Sequence, residues 1–371
     1  MNDREKIIRA LEPVRASGDM VREVLDMADR KKRNTGRKTG RILAAAAAAA
    51  VLLIGTALAV GGLGRDRGLM RMLHLTEETI RQAEEAGILE SPAASDTHEG
   101  ITVEAAQCAV DGDSLMAAFR IEGLELGTGE APSVDHCRVF IGGTEIGSLG
   151  WSFDRGMSWD GSRFVYDDGT PADLGASGEP IPRYVRPNGS VELDLSVAPD
   201  GTRELGELPG QEIEVRFYDV CGTEGPWVLR WTLSGSAERL TYAPAAVLGD
   251  TGATLTEVVL SPISLKLVYA FPMQTFEEIG LNEYGEQIPV RTLKEPPLPG
   301  GVVLRDGTEL RDITGGGILG YTGNETEVFT VEMNLSRIID PAEVTALLLH
   351  EVGYGDVPAS EMTWYTVQLR D

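Results

Sequence analysis

Histidine and cysteine are scarce in this chain, and where they fall excludes more than their number does. The four histidines, His74, His98, His136 and His350, stand far apart, and no pair has the spacing of zinc ligands. Cys108, Cys137 and Cys221 form no CxxC pair, so zinc ribbons and thioredoxin-like redox motifs are excluded. One disulfide with one free thiol, or three small buried side chains, fits the cysteines equally well. No GxSxG or Walker pattern occurs, which leaves the nucleophile elbow and the P-loop without a carrier. No enzyme activity, cofactor or metal is expected.

Positive charge is also in short supply. Lys and Arg number 33 against 58 Asp and Glu, a net charge of -25, which disfavours direct binding to nucleic acid. The deficit is uneven. Residues 1–41 hold twelve basic against seven acidic residues, a net of +5, so the rest of the chain carries -30. Seven of those twelve crowd between Arg30 and Arg41.

Charge is missing altogether from residue 42 to residue 64, where Ile-Leu, seven alanines and Val-Leu-Leu-Ile-Gly-Thr-Ala-Leu-Ala-Val follow one another. At about 1.5 Å per residue a helix over 42–63 spans the roughly 30 Å of bilayer hydrocarbon. The basic cluster before it puts the N-terminus in the cytosol and the acidic remainder outside the cell membrane. A cleaved signal peptide ending near Ala57-Leu58-Ala59 is the rival reading, but its n-region would be some 40 residues long and its apolar run exceeds the usual core.

Before the span, Asn2 and Ser17 are positioned to cap two short helices, and Pro13 separates them. Residues 1–41 therefore form a cytosolic helical segment. Its apolar stripe offers Ile7, Leu11, Val21, Val24 and Leu25 to a partner, as an amphipathic helix laid in a groove. Its basic end suits anionic lipid. Residues 64–98 are expected to hold a membrane-proximal helix, capped by Thr76 and stopped by Gly87, and then a linker through Ser91–Ser95.

From Gly100 onward the pattern is β-rich: short apolar runs broken by Gly, Asp, Asn and Pro. Several fragments return in order. Gly100-Ile-Thr-Val answers Gly252-Ala-Thr-Leu, Ser114-Leu115 answers Ser264-Leu265, and Val191-Glu-Leu-Asp-Leu195 answers Val331-Glu-Met-Asn-Leu335. The Asp-Gly turns at 168–169 and 306–307, and the Trp227 and Trp364 strands, complete the series. A duplicated unit follows, with residues 99–235 and 236–371 each an antiparallel β-sandwich of immunoglobulin-like size. One helical insertion is expected at Asp340-Pro341-Ala-Glu-Val344.

Two features of this part invite a ligand. Trp151, Phe153, Trp159 and Tyr166 fall in one long loop and could form a binding patch. Asp154, Asp160, Asp167, Asp168 and Asp173 share it, without the alternate-residue ladder of an EF-hand. A solvated acidic surface accounts for them better than calcium does.

The order Glu12-Pro13-Val14-Arg15-Ala16-Ser17, Val24-Leu25-Asp26-Met27, the alanine-rich span and Gly100-Ile-Thr-Val resembles a family of Gram-positive bacterial single-pass membrane proteins. These carry an ectodomain of unknown function and are described as anti-sigma-factor-like. Leu260-Ser-Pro-Ile-Ser-Leu265 and Leu304-Arg-Asp-Gly-Thr308 are similar to the family's second ectodomain. The resemblance implies transmembrane signalling, with the cytosolic segment contacting a regulatory protein such as a sigma factor. The chain departs from the zinc-binding anti-sigma pattern, since residues 1–73 contain neither Cys nor His. A cell-surface or wall-binding module with no signalling role is the alternative.

The topology has a direct test. Protease applied to intact cells is expected to digest the C-terminal part and spare a tag placed before Met1; loss of that tag would reverse the orientation.

Overall fold

Alternation of apolar residues decides which way each strand faces, and about half of the described residues are strand. The computed structural model describes residues 68–127, 129–147, 149–197, 207–281, 287–321, 326–352 and 362–370. The cytosolic segment 1–41 and the span 42–63 lie outside the described residues. Among the described residues no helix is long and apolar enough to cross a membrane.

Two short helices come first, α1 (Gly68–Met72) and α2 (Glu77–Glu85). Thr76 caps α2, its hydroxyl accepting from the Thr79 amide while Thr79 bonds back to the Thr76 amide. Both helices close with the same device. After α2, Gly87 (φ 70°) lets Ile88 N donate to Ala83 O at 2.9 Å. After α1, His74 takes the left-handed position (φ 47°) and Leu75 N donates to Met70 O at 2.7 Å. This 6→1 closure normally selects glycine, because a Cβ crowds the backbone there.

The first sheet-forming stretch contains β1 (Leu89–Glu90), β2 (Ser95–His98), β3 (Ile101–Val110), β4 (Leu115–Glu122), β5 (Cys137–Ile141) and β6 (Thr144–Ile146). It continues with β7 (Leu149–Phe153), β8 (Met157–Trp159), β9 (Phe164–Tyr166), β10 (Val191–Val197), β11 (Glu212–Val220) and β12 (Thr223–Thr232). One sheet runs β1-β3-β4-β10-β7, with β2 also on β3; a second runs β12-β11-β5-β6. The two face each other across a shared core that includes Phe119, Leu193, Val215, Phe217 and Trp227. Ser91–Ser95, expected as a linker, runs from β1 into the first residue of β2 along β3. Ala94 is buried in that core and accepts from Ala105 N at 2.9 Å.

The later stretch holds β13 (Leu240–Tyr242), β14 (Ala246–Val247), β15 (Thr254–Leu260), β16 (Ser264–Ala270), β17 (Thr275–Leu281) and β18 (Gln287–Leu293). Then come β19 (Leu298–Leu304), β20 (Glu309–Arg311), β21 (Thr314–Tyr321), β22 (Val328–Leu335), β23 (Val344–His350) and β24 (Trp364–Gln368). One sheet runs β13-β15-β16-β22-β21 with β14 on β15, another β20-β19-β23-β24, and β17 pairs with β18 alone. Tyr269, Phe271, Phe329 and Leu347 lie in the second core. The helical insertion expected at Asp340 is a 3-10 turn, Pro341–Glu343, capped by the Asp340 carboxylate.

Strand for strand, the two sheet orders are the same. β3 and β15 even carry bulges at matching places, between Ala105 and Gln107 and between Leu255 and Glu257. The following turns close alike: Asp111 N donates to Ser114 O, and Ser261 N to Ser264 O, each at 3.0 Å. Not every sequence match survives in register. Leu115 faces Val197 while Leu265 faces Met333, so Asp194 occupies the place of Thr330 and not of Asn334. The Asp-Gly turns also differ in position, since one follows β9 and the other follows β19, the counterpart of β5.

The two turns meet. Asp111, fully buried, accepts from Asp113 N and Ser114 N in its own turn, and from Ile263 N at 3.1 Å and Ser264 Oγ at 2.7 Å in the other. Burial pushes its carboxyl pKa up against the pull of those four bonds. Around this junction α1 and α2 add a third layer, packing Leu69, Leu73, Ile80 and Ala83 against Ala109, Met116 and Ala118 of the first sheet and Ile263 of the other.

Asp111→Ala would orphan four donors at the junction and is expected to lower unfolding stability by about 3 kcal/mol. At the matching position, the Ser261 hydroxyl is buried without a hydrogen-bond partner, so Ser261→Ala should stay within about 0.5 kcal/mol of the parent. Urea unfolding of both variants checks the pair.

Candidate functional site

Val191, Leu193, Leu195 and Val197 of β10 point into the core, so Glu192 and Asp194 point the other way. On an antiparallel sheet that outer face is commonly wet. Here α1 and the excursion between β7 and β10 cover it, leaving Glu192 and Asp194 only 3% and 8% exposed. Charges placed there need partners, because an isolated buried ion is strongly disfavoured.

Two arginines supply most of them. Arg186, just ahead of β10, pairs with Glu192 at 2.8 Å, with Asp154 at 2.7 Å and with Asp167. Arg71, on α1, bridges Asp154 and Asp167 from the other side. Asp154 also accepts from Gly156 N at 2.8 Å. Four carboxylates thus face two guanidinium groups. The remaining carboxylate, Asp194, has an Oδ1 with no hydrogen-bond partner. Burial, then the negative charges of Asp154 and Glu192, push its carboxyl up to about 7 against the pull of Arg71 and Arg186.

The excursion is organised by Tyr166. Its hydroxyl donates to Ile181 O at 2.9 Å and accepts from Asp173 N at 2.9 Å, while the Arg183 guanidinium lies 3.4 Å above its ring. Gly169 (φ 80°) closes the adjoining turn, donating to Tyr166 O at 2.9 Å.

The structure divides the aromatic patch expected from the sequence. Tyr166 is 3% exposed and serves as a post inside the excursion; Phe153 packs partly buried against the core. Both are withdrawn because their neighbours need apolar cover more than the surface does. Trp151 and Trp159 do reach solvent, at 41% and 58% exposure, and Trp159 meets Phe164 edge to face at 5.2 Å. The acidic residues are engaged locally: Asp160 and Asp168 accept from amides of their own turns, and Asp173 pairs with Arg183 at 3.4 Å. Among the described residues no group of three or more His, Cys, Asp or Glu is placed to hold a metal ion. The partner-binding stripe Ile7, Leu11, Val21, Val24 and Leu25 lies outside the described residues.

All three cysteines are free thiols. Burial raises Cys137 to about 12 and also raises Cys108 and Cys221, so none is a ready thiolate at neutral pH. A cleft of about 450 Å³ opens beside Cys221, between Glu99, Glu125, Glu130 and Ser133. Gly315, Gly317 and Gly320 do match the G-x-G-x-x-G spacing. All three lie within β21, an edge strand, and not in a strand-to-helix turn of the kind that holds a pyrophosphate.

Arg71, Arg186, Glu192 and Asp194 were not legible as a site from sequence, where charges alternating with Val and Leu look like a solvated face. One signal was available. β4 reads Leu115-Met-Ala-Ala-Phe119, apolar on both faces, which requires cover on both sides.

Neither a protein-family model nor a curated protein matches the sequence. Among solved structures, the chain is similar to a conserved domain protein from Bacillus anthracis, at a TM-score of 0.38 and 12% identity, over 76% of this chain and 95% of that one.

Arg186 is 9% exposed and holds three carboxylates. Arg186→Met would leave them facing one another, and a loss of about 3–5 kcal/mol at pH 7 is expected. Urea midpoints of the variant and the parent at pH 7 measure it.

Proposed function

We propose that this chain is a single-pass membrane protein, anti-sigma-factor-like, in which two tandem immunoglobulin-like β-sandwiches outside the cell regulate a cytosolic partner through the span 42–63. The cytosolic segment would grip that partner, a regulatory protein such as a sigma factor, with Ile7, Leu11, Val21, Val24 and Leu25. The role is binding and regulation, with no reaction catalysed.

The observation that carries this reading is the burial of α1. A passive tether needs only loose chain between bilayer and ectodomain. Instead Leu69 and Leu73 are at most 1% exposed, packed in one cluster with residues of the first sheet and with Ile263 of the second sheet pair. A displacement within either pair therefore moves the segment that follows the apolar run. That is what a signal crossing the membrane requires, and an anchor does not.

One observation favours the second reading, a surface- or wall-binding module. Trp159 and Phe164 form an exposed aromatic pair on the β8–β9 hairpin, a feature that suits a ligand contact at a cell surface.

Cross-linked capture of cytosolic partners by the full-length protein separates the two. Signalling predicts a specific partner, lost in a Val24→Asp/Leu25→Asp variant because a charge is then forced into the contact. No partner, or a partner kept equally by the variant, would favour the surface module.

A further inference from the structure

Gly68, the first residue of α1, lies against Asp194. A Cβ at Gly68 would collide with the Asp194 Oδ1 and sit 3.0 Å from the Ala118 Cβ. The helix therefore seats its backbone on a carboxyl group that is buried and has no hydrogen-bond partner at that oxygen. Charged groups approach from every neighbouring element: Arg71 from α1, Glu192 from β10 itself, Asp154 from the end of β7, and Arg186 with Asp167 from the excursion. On β4, Arg120 is engaged by Glu104 at 2.5 Å. The two arginines of the cluster are committed to Asp154, Asp167 and Glu192, and among the described residues neither forms an ion pair with Asp194.

We propose that Asp194 is a proton gate for α1: with its carboxyl protonated the helix lies docked on the sheet, and loss of that proton to water releases it. Ionised, Asp194 would place a further negative charge beside Asp154 and Glu192, under a helix that shields all three from solvent. Released, α1 would open that face to water and let the charge be hydrated. The docked carboxyl titrates near 7, whereas a hydrated aspartate titrates near 4. Between those values the docked state holds the extra proton. Docking is therefore strongest below about pH 4, weakens about tenfold per pH unit as pH rises towards 7, and changes little above it. The contact between Gly68 and Asp194 carries the gate, and the raised carboxyl pKa sets its pH range. Its use as an outward-to-inward signal rests on the membrane reading above, since α1 would then be the stretch that leads into the bilayer.

Hydrogen exchange of the full-length protein, followed by mass spectrometry from pH 5 to 8 and corrected for the intrinsic pH dependence of exchange, reads the gate without reference to any partner. Amides of Leu73 and Leu75, bonded to Leu69 and Met70, are expected to lose protection about tenfold per pH unit between pH 5 and 7, while β11 and β12 do not change. Asp194→Asn should keep α1 protected and remove the pH dependence. Gly68→Ala, which drives a methyl onto the carboxyl, should leave α1 unprotected at every pH, and it serves as the second test should Asp194→Asn not fold. A flat wild-type profile, a wild-type slope in Asp194→Asn, or a wild-type slope in Gly68→Ala would each overturn the gate. Partner capture would be unaffected by such a result, so the gate and the signalling role fail separately.

Discussion

Covering the outer face of a β-sheet obliges every polar group on that face to find a partner away from water, and this constraint shapes the first half of the protein. β4 meets it by being apolar on both sides, with Met116 and Ala118 turned towards α1 and α2. β10 meets it differently, with two acids on the same face. Once α1 is in place, Arg71 and Arg186 become necessary, and so do the carboxylates that hold those arginines in turn. The excursion between β7 and β10 exists in its observed form because it must deliver Asp154, Asp167 and Arg186 to one small area. Tyr166, pinned at both ends of its hydroxyl, fixes the loop that does so.

The same accounting explains the junction between the two sheet pairs. Asp111 and Ser261 stand at corresponding places in two turns of the same design. The acid reaches across to the second turn, while the serine makes no reciprocal bond. Burial works against the charge on Asp111 and raises its pKa, yet the carboxyl is the acceptor that satisfies four otherwise buried donors, which would be costly to leave unpaired. A second one-way bond crosses the same junction, from the Ser114 hydroxyl to the Asn334 carboxamide oxygen, and Ile263 there forms part of the floor under the α1–α2 layer.

Much of the fold was readable in advance, and the physical reasons are specific. Short apolar runs broken by Gly, Asp, Asn and Pro marked the chain from Gly100 onward as β-rich, because turn residues punctuate strands whichever face is buried. Thr76 and Gly87 marked α2, since a cap and a left-handed stop act over a few residues. Register was less accessible. Val191–Leu195 resembles Val331–Leu335 in letters, yet the pairing with β4 and β16 sets them four residues apart. Alternation by itself is blind to shifts by an even number. The ion cluster was hidden for another reason: its members are separated by up to 123 positions in sequence, Arg71 to Asp194. No local pattern records that a helix from one end of the stretch lands on a strand from the other. Tyr166 was misplaced because an aromatic beside Gly and Asp looks exposed until the chain that folds over it is known.

The second half shows what the cluster is not required for. In the register fixed by β16, the places of Glu192 and Asp194 are taken by Val328 and Thr330. There the outer face carries an ordinary cross-strand pair, Lys266 with Glu332 at 2.8 Å, and Lys266 remains open to solvent. The same strand order therefore forms with the buried acid on that face, Glu332, paired to a solvated lysine and without an arginine cluster around it. A buried ion pair is seldom more stable than a well-packed apolar substitute, since the desolvation of both ions offsets most of their attraction. Four carboxylates against two guanidinium groups are worse placed still, with Asp194 left short of a partner. Apolar residues on β10 would have covered α1 as well as Met116 and Ala118 do. The acid at 194 thus adds no packing that an apolar residue would lack, and what it brings beneath α1 is a group able to change its charge.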